Sequence, residues 1–252
     1  DMGFDPNWRE AVPISPLNRI LLLADSLKAS KRDGVPAIAW DEGTAQRVFA
    51  QARNPIVNGI IWSPDEVLSG RNILRNSIIR RGLRRSSGLW CLSTAQVDPI
   101  GDWLQKRDLP VHFLKFGIDT EFFPYSSFPD RKIVLSVGND RDRDTDLLFD
   151  AIRRIQKLEP QVHFIVQTNS STEPPAGVEK IGRVSHSRLR EIYSKASLVL
   201  IATKPNLHAS GMTVALEAMS VGRPVVVTET PGLSDYIRDG VDGYYVMRQS
   251  LC

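Results

Sequence analysis

An α/β fold built on parallel sheets is what this sequence predicts, and three observations predict it. Short apolar runs of strand length alternate with amphipathic stretches of helical period along the chain. Such alternation belongs to strand–helix–strand units, whose crossovers leave the strands parallel. The alternation is interrupted once, at GIDTEFFPYSSFPDR (117–131), which carries two prolines and no strong periodicity. The composition, 42% hydrophobic and 24% charged over 252 residues, is ordinary for a globular chain of one large or two modest domains.

In the first half NRILLLADSL, GVPAIAWDEG, NGIIWS and SGLWCLS read as strand-like runs, with TAQRVFAQAR helical after the second. The second half is cleaner. RKIVLSVGN is a buried strand, and DTDLLFDAIRRIQKLEP sets Leu147, Leu148, Ala151, Ile152 and Ile155 at helical spacing before Pro160 ends it. QVHFIVQTN reads as a strand, HSRLREIYSKA as a helix and SLVLIAT as a strand. MTVALEAMSVG reads as a helix closing on Gly222, where glycine suits a left-handed cap. RPVVVTE is a strand, GLSDYIRDG a short helix ending at Gly240, and GYYVM a last strand. With 117–131 as linker, the expectation is two Rossmann-like domains facing across a cleft, 1–116 and 132–252. The first half offers few strand–helix units and MRQSLC stops straight after a strand, so the domains read as truncated at both ends.

Several function classes are set aside at this level. No apolar run approaches the roughly 20 residues that span a bilayer; the longest, Ile20 to Ala24, is strand-sized. The opening DMGFDPNWRE is polar, which makes a cytoplasmic setting the expectation rather than a secretory leader. Two cysteines and four histidines form no metal-ligand pattern, so no metal and no cofactor is expected. The net charge of +3 says little, but RNILRNSIIRRGLRRSSG gathers Arg71, Arg75, Arg80, Arg81, Arg84 and Arg85 in one stretch. Ile73, Leu74, Ile78, Ile79 and Leu83 alternate with these arginines. Such a helix suits an anionic membrane surface or a core face with a solvated basic back. Nucleic acid is not expected, because aromatic residues are not interleaved with the charge.

The chemistry concentrates after SLVLIAT. A loop with Ser210 and Gly211 opens a helix at about Met212 and Thr213. The amides of a first helical turn lack intrahelical partners, and with the macrodipole they attract anions. Gly211 lets a ligand come close to the backbone. Glu217 lies one to two turns in, where a carboxylate can bind vicinal ribose hydroxyls. A nucleoside diphosphate fits this arrangement.

The run LEAMSVGRPVVVTETPGLSDYIRDGVDGYYV resembles the donor-domain signature of family 4 glycosyltransferases. FLKFGIDTEFF (113–123), VLSVGNDRDRDTDLLFDAI (134–152) and VEKIGRVSHSRLREIYSKASLVLIAT (178–203) resemble further family stretches, in order and at family spacing. The resemblance covers about residues 90–246 and implies the GT-B fold, with the donor site in the second domain. It implies that Gly138, Asn139 and the loop to Asp144 face the donor diphosphate, with Arg141 and Arg143 as phosphate-binding cations. Val184 is implied near the base, and Glu217 on the ribose. One departure stands out: where the family carries a first glutamate, which contacts the transferred sugar, this chain has Ala209 or His208, depending on the alignment. His208 is the candidate replacement.

What the resemblance implies is a glycosyltransferase taking a UDP-, GDP- or dTDP-sugar and transferring it, with retention and without a metal, to a glycan, lipid-linked or small-molecule acceptor. Arg75, Arg80, Arg81, Arg84 and Arg85 would form its membrane or acceptor side. The alternative is a non-catalytic relative that binds nucleotide or a protein partner. A nucleotide-sugar epimerase would be expected to carry catalytic carboxylates and histidines in both domains, and a phosphorylase a pyridoxal-bearing lysine in a longer chain; neither pattern is visible.

Overall fold

The structure, a computed structural model, describes residues 37–49 and 55–247. The run NRILLLADSL and the last residues of the chain lie outside the described residues. Two parallel sheets carry the chain. The first has the order β1–β2–β3–β4, from β1 (Ala37–Ala39), β2 (Ile56–Ile60), β3 (Gly88–Cys91) and β4 (Val111–Phe113). Helices α1 (Glu42–Phe49), α2 (Ser63–Leu68), α3 (Ile73–Leu83) and α4 (Val97–Leu104) accompany it. Its core holds Ile60, Ile79, Leu83, Leu89, Cys91, Ile100 and Leu104, all nearly inaccessible to water.

The second sheet has the order β10–β9–β8–β5–β6–β7, all parallel. Its strands are β5 (Ile133–Val137), β6 (His163–Gln167), β7 (Val178–Ile181), β8 (Leu198–Ile201), β9 (Val225–Thr228) and β10 (Gly243–Val246). Helices α5 (Thr145–Leu158), α6 (His186–Lys195) and α7 (Met212–Ser220) accompany it. Of the expected stripe on α5, Leu148 and Ile152 are buried, together with Phe149 from outside it, and α6 buries Leu189, Ile192 and Tyr193. Burial of each such apolar side chain contributes about 1.5–3 kcal/mol. Both helices start as their sequences direct: the Asp144 carboxylate accepts from the Leu147 amide, and the Ser185 hydroxyl from that of Arg188.

The order of the second sheet positions the site. The chain builds outward from β5 to β6 and β7, then returns to the other flank of β5 and continues through β8, β9 and β10. The strand order therefore switches between β5 and β8. In open parallel sheets ligands bind at such a switch, beyond the carboxyl ends of the strands. The loops leaving β5 and β8 are 138–144 and 202–211, the two stretches singled out by sequence.

Several elements differ from expectation, among them α2 and β7, which the sequence reading did not anticipate. GLSDYIRDG forms only a 3-10 turn, Leu233–Asp235, because its side chains are tied elsewhere: Asp235 accepts from the Thr94 amide and hydroxyl, and Tyr236 donates to the Leu92 carbonyl. β4 has three residues, too few to show a period, and α4 was not anticipated. Between β4 and β5 the chain crosses without helix or strand and is pinned by Arg223. That guanidinium is 1% exposed and donates to the carbonyls of Ser126, Ser127, Tyr193 and Ser194. Among the described residues no helix is long and apolar enough to cross a membrane.

Candidate functional site

The loop after β5 begins at Gly138, whose φ of 140° belongs to glycine, and the loop after β8 ends at Gly211, the N-cap of α7, with φ 96°. A Cβ at either glycine would collide with the guanidinium of Arg143. Arg143 therefore lies between two bare stretches of backbone, one from each loop. It is half-buried, and its Nε and Nη1 are buried without a hydrogen-bond partner. Burial pushes the guanidinium below its ordinary pKa, and the nearby Asp140 charge works against that. A desolvated, unsatisfied guanidinium beside a helix N-terminus is an anion-seeking arrangement. The two loops are stitched together at this point: the Asp144 amide donates to the Ala202 carbonyl and the Lys204 amide to that of Asp142.

Beside Arg143 lies a charged cluster. His208 is 3% exposed. Its Nδ1 donates to Asp65 Oδ2 at 2.9 Å, and its Nε2 stands 3.5 Å from Asp140 Oδ2 and 3.7 Å from Asp142 Oδ2. Burial alone would lower its pKa, but the carboxylates of Asp140 and Asp65 override that and raise it to about 9. His208 is thus an imidazolium at neutral pH. In return it holds Asp140, despite burial, well below the usual carboxylate range, helped by the Asp142 amide and the Ser210 hydroxyl. Asp140, Asp142 and His208 are the one group among the described residues whose ligand atoms come within 4.8 Å of one another, as a shared cation requires.

Several members of this network come from the first domain. α2 presents Asp65 and Glu66 to the second domain. Glu66 binds Arg141 at 2.6 Å and Arg75 at 2.8 Å. Burial would raise the Glu66 pKa; Arg141 foremost holds it below its ordinary value. Trp62 lies between two cations, its ring 4.4 Å from the Arg141 guanidinium carbon and 4.7 Å from the His208 ring centre. Further bonds close the domains together: Leu207 donates its amide to Asp65 at 2.7 Å, and Ser93 its hydroxyl to the Leu207 carbonyl at 2.5 Å.

The fold brings Gly138, Arg143, His208, Ser210 and Gly211 to one place. Asn139 is turned aside, its side-chain oxygen accepting from the Asn169 amide. Arg141 reaches across to Glu66 and Trp62. Met212 is buried, Thr213 half-buried, and Val184 packs against the main apolar cluster. Glu217 is 7% exposed and accepts from Tyr193 Oη at 2.9 Å; burial raises its pKa, and Tyr193 offsets part of this. Its carboxylate is thus engaged by Tyr193, whose hydroxyl also lies within electrostatic reach of Arg143. Of the basic stretch, Arg75 pairs with Glu66 and Arg80 donates to Gln105. Arg81, Arg84 and Arg85 are exposed, as are Ile73, Leu74 and Ile78 on the same helix and its cap. Sequence reasoning missed Trp62, Asp65, Glu66, Asp140 and Asp142. The aspartates of DRDRD were visible only as loop charge, and the helix at Ser63–Leu68 that carries Asp65 and Glu66 was not anticipated.

Comparison with known proteins finds relatives of this fold. Residues 131–250 match the family described as Glycosyl transferases group 1. An uncharacterized glycosyltransferase of Methanocaldococcus jannaschii is 38% identical over 66 residues, 26% of this chain and 16% of that protein. Among solved structures, sucrose-phosphate synthase from Thermosynechococcus elongatus superposes with a TM-score of 0.70 at 18% identity, over 87% of this chain and 62% of that one. HepE of Anabaena, in complex with UDP-glucose, gives 0.71 at 16% identity, over 93% of this chain and 70% of that one. The chain thus spans under two thirds of the synthase and a small part of the archaeal relative. The fold is GT-B, two parallel-sheet domains facing each other, as the sequence led one to expect.

Proposed function

We propose that this chain, whose residues 131–250 match the group 1 glycosyl transferases, moves a sugar from a nucleoside-diphosphate sugar to an acceptor. The observation that carries the reading is Arg143, unsatisfied and lodged between Gly138 and Gly211 at the point where the strand order switches. A departing nucleoside diphosphate gains negative charge. A buried guanidinium and the N-terminus of α7 supply the complement without rearranging, and such preorganisation lowers barriers by several kcal/mol.

The donor is read as UDP-, GDP- or dTDP-linked. HepE, a fold relative, is seen with UDP-glucose, which puts UDP first in the order of trial. Glu217 would reach the ribose once its bond to Tyr193 is exchanged, with Val184 near the base. The cationic side chains and the helix terminus support transfer without a metal, and the family resemblance supports retention. The acceptor would be a glycan, a lipid-linked sugar or a small molecule. Exposed Ile73, Leu74 and Ile78 beside Arg81, Arg84 and Arg85 support a peripheral position on an anionic, cytoplasmic-side membrane. Flotation with anionic vesicles tests that part, and absence of co-flotation rejects it.

Transfer itself is tested by following release of nucleoside diphosphate from a panel of nucleotide-sugars, with the product anomer read by proton NMR. Release from one donor, absent in Arg143→Ala, is the expected result; inversion would reject the retaining reading. A binding module without transfer is the second reading, favoured by the pairs Glu66–Arg141 and Asp65–His208, which already satisfy two of the cations. Nucleotide binding with no release from any donor would select it.

A further inference from the structure

The position where a sugar-contacting glutamate is expected holds Ala209 or His208, depending on the alignment, and His208 is almost wholly covered. Its side chain is 3% exposed, and those of Asp65 and Asp142 are 9% and 7%. Asp140 is the most exposed member of this cluster, with 23% of its side chain accessible to solvent. An imidazolium buried behind carboxylates cannot meet a sugar. The carboxylate in front of it can.

Asp140 is held on three sides. Its Oδ1 accepts the Asp142 amide at 2.8 Å, its Oδ2 accepts the Ser210 hydroxyl at 2.8 Å, and His208 Nε2 stands 3.5 Å from Oδ2. A carboxylate has about four acceptor positions, so these contacts leave roughly one unfilled. Asp140 also belongs to the Arg143 cradle: its carbonyl accepts the Arg143 amide at 3.0 Å, and its hydroxyl partner Ser210 directly precedes Gly211. Whatever is bonded to a diphosphate in that cradle passes close to this free carboxylate edge. In a nucleotide-sugar that group is the sugar, whose hydroxyls are donors.

We infer that Asp140 accepts a hydrogen bond from a hydroxyl of the transferred sugar and so determines which sugar is used, with His208 and Ser210 as its positioning residues. The inference rests on the donor-site reading above and adds the residue that reads the sugar. A fixed, ionised acceptor discriminates strongly, because a donor lacking the hydroxyl leaves a desolvated carboxylate unpaired. The role denied to His208 by burial thus falls to a residue from the opposite loop.

The test uses the full chain and calorimetric titration with UDP, GDP and dTDP, each alone and as its glucose ester, then with glucose esters lacking one hydroxyl at a time. Asp140→Asn is expected to weaken binding of the glucose ester about tenfold more than it weakens binding of the bare nucleotide. One deoxy donor should bind wild type about tenfold more weakly than the parent and bind Asp140→Asn no more weakly than the parent does. A merely structural role would leave that deoxy penalty unchanged in the variant, and this result overturns the inference. Equal loss of bare nucleotide and glucose ester also overturns it. Should Asp140→Asn fail to fold, Ser210→Ala carries the same comparison, with a reduced deoxy penalty expected and an unchanged one decisive against. Absence of binding by wild type to all six ligands would instead remove the donor-site reading itself.

Discussion

Asp65 and His208, 143 residues apart, join the two domains through one carboxylate: Oδ2 accepts the imidazole Nδ1–H at 2.9 Å while Oδ1 accepts the Leu207 amide at 2.7 Å. The first domain thereby fixes the loop that carries Ser210 and Gly211, and fixes the ring orientation of the histidine behind Asp140. Removing the carboxylate strands a buried cation and an amide together. Loss of one partner of a buried pair costs on the order of 3 kcal/mol. Asp65→Ala should unfold at lower denaturant than wild type, and limited proteolysis should cut the loop 202–211 faster.

Stability should fall as pH rises. The pKa of His208 is raised to about 9 in the folded chain from an ordinary 6.5. The stabilisation from binding its proton is therefore complete below about pH 6.5 and disappears as pH climbs through 9. The groups facing it are Asp65 from α2, Asp140 and Asp142 from the β5 loop, and the Trp62 ring. His208→Gln should flatten the stability profile between pH 6.5 and 9 while lowering stability at pH 6. An unchanged slope in the variant would contradict the imidazolium assignment.

Arg143→Ala should separate function from folding. The guanidinium is desolvated and two of its nitrogens lack partners, so its removal should leave stability unchanged or raise it slightly. Affinity for the nucleoside diphosphate should fall tenfold or more, an effect of about 1.4 kcal/mol or above. Thermal unfolding with and without nucleotide measures both quantities on one sample.

Gly211→Ala should do harm in both respects. The backbone sits at φ 96°, and an added Cβ would lie 2.7 Å from Ile201 Cγ2 and 2.9 Å from an Arg143 nitrogen. Left-handed backbone costs a non-glycine residue about 1–2 kcal/mol before any clash is counted. Lower unfolding temperature together with weakened nucleotide binding is the expected pair of results.

Much of the fold was legible because α5, α6 and α7 and the strands between them each carry their own period. The stripe Leu148–Ile152 needs no tertiary information to be seen. Gly211 was legible too, since strand, glycine and helix follow one another in sequence, whereas Gly138 was reached only through the family resemblance. What stayed hidden depends on contacts between distant segments. Nothing near SPDEV announces that Asp65 will meet a histidine in the other domain, or that Glu66 will take Arg141. The turn at 233–235 was expected as a helix because its composition allows one; Thr94 and Leu92, from the first domain, hold its side chains instead.

The most direct measurement is a calorimetric titration of the wild-type chain and Arg143→Ala with UDP, GDP and dTDP. Saturable binding of one nucleotide to wild type, lost or weakened at least tenfold in Arg143→Ala, is the predicted result. Equal affinity in the two proteins, or no binding of any nucleotide to wild type, would contradict the assignment of the Gly138–Arg143–Gly211 cradle as a nucleotide-sugar site.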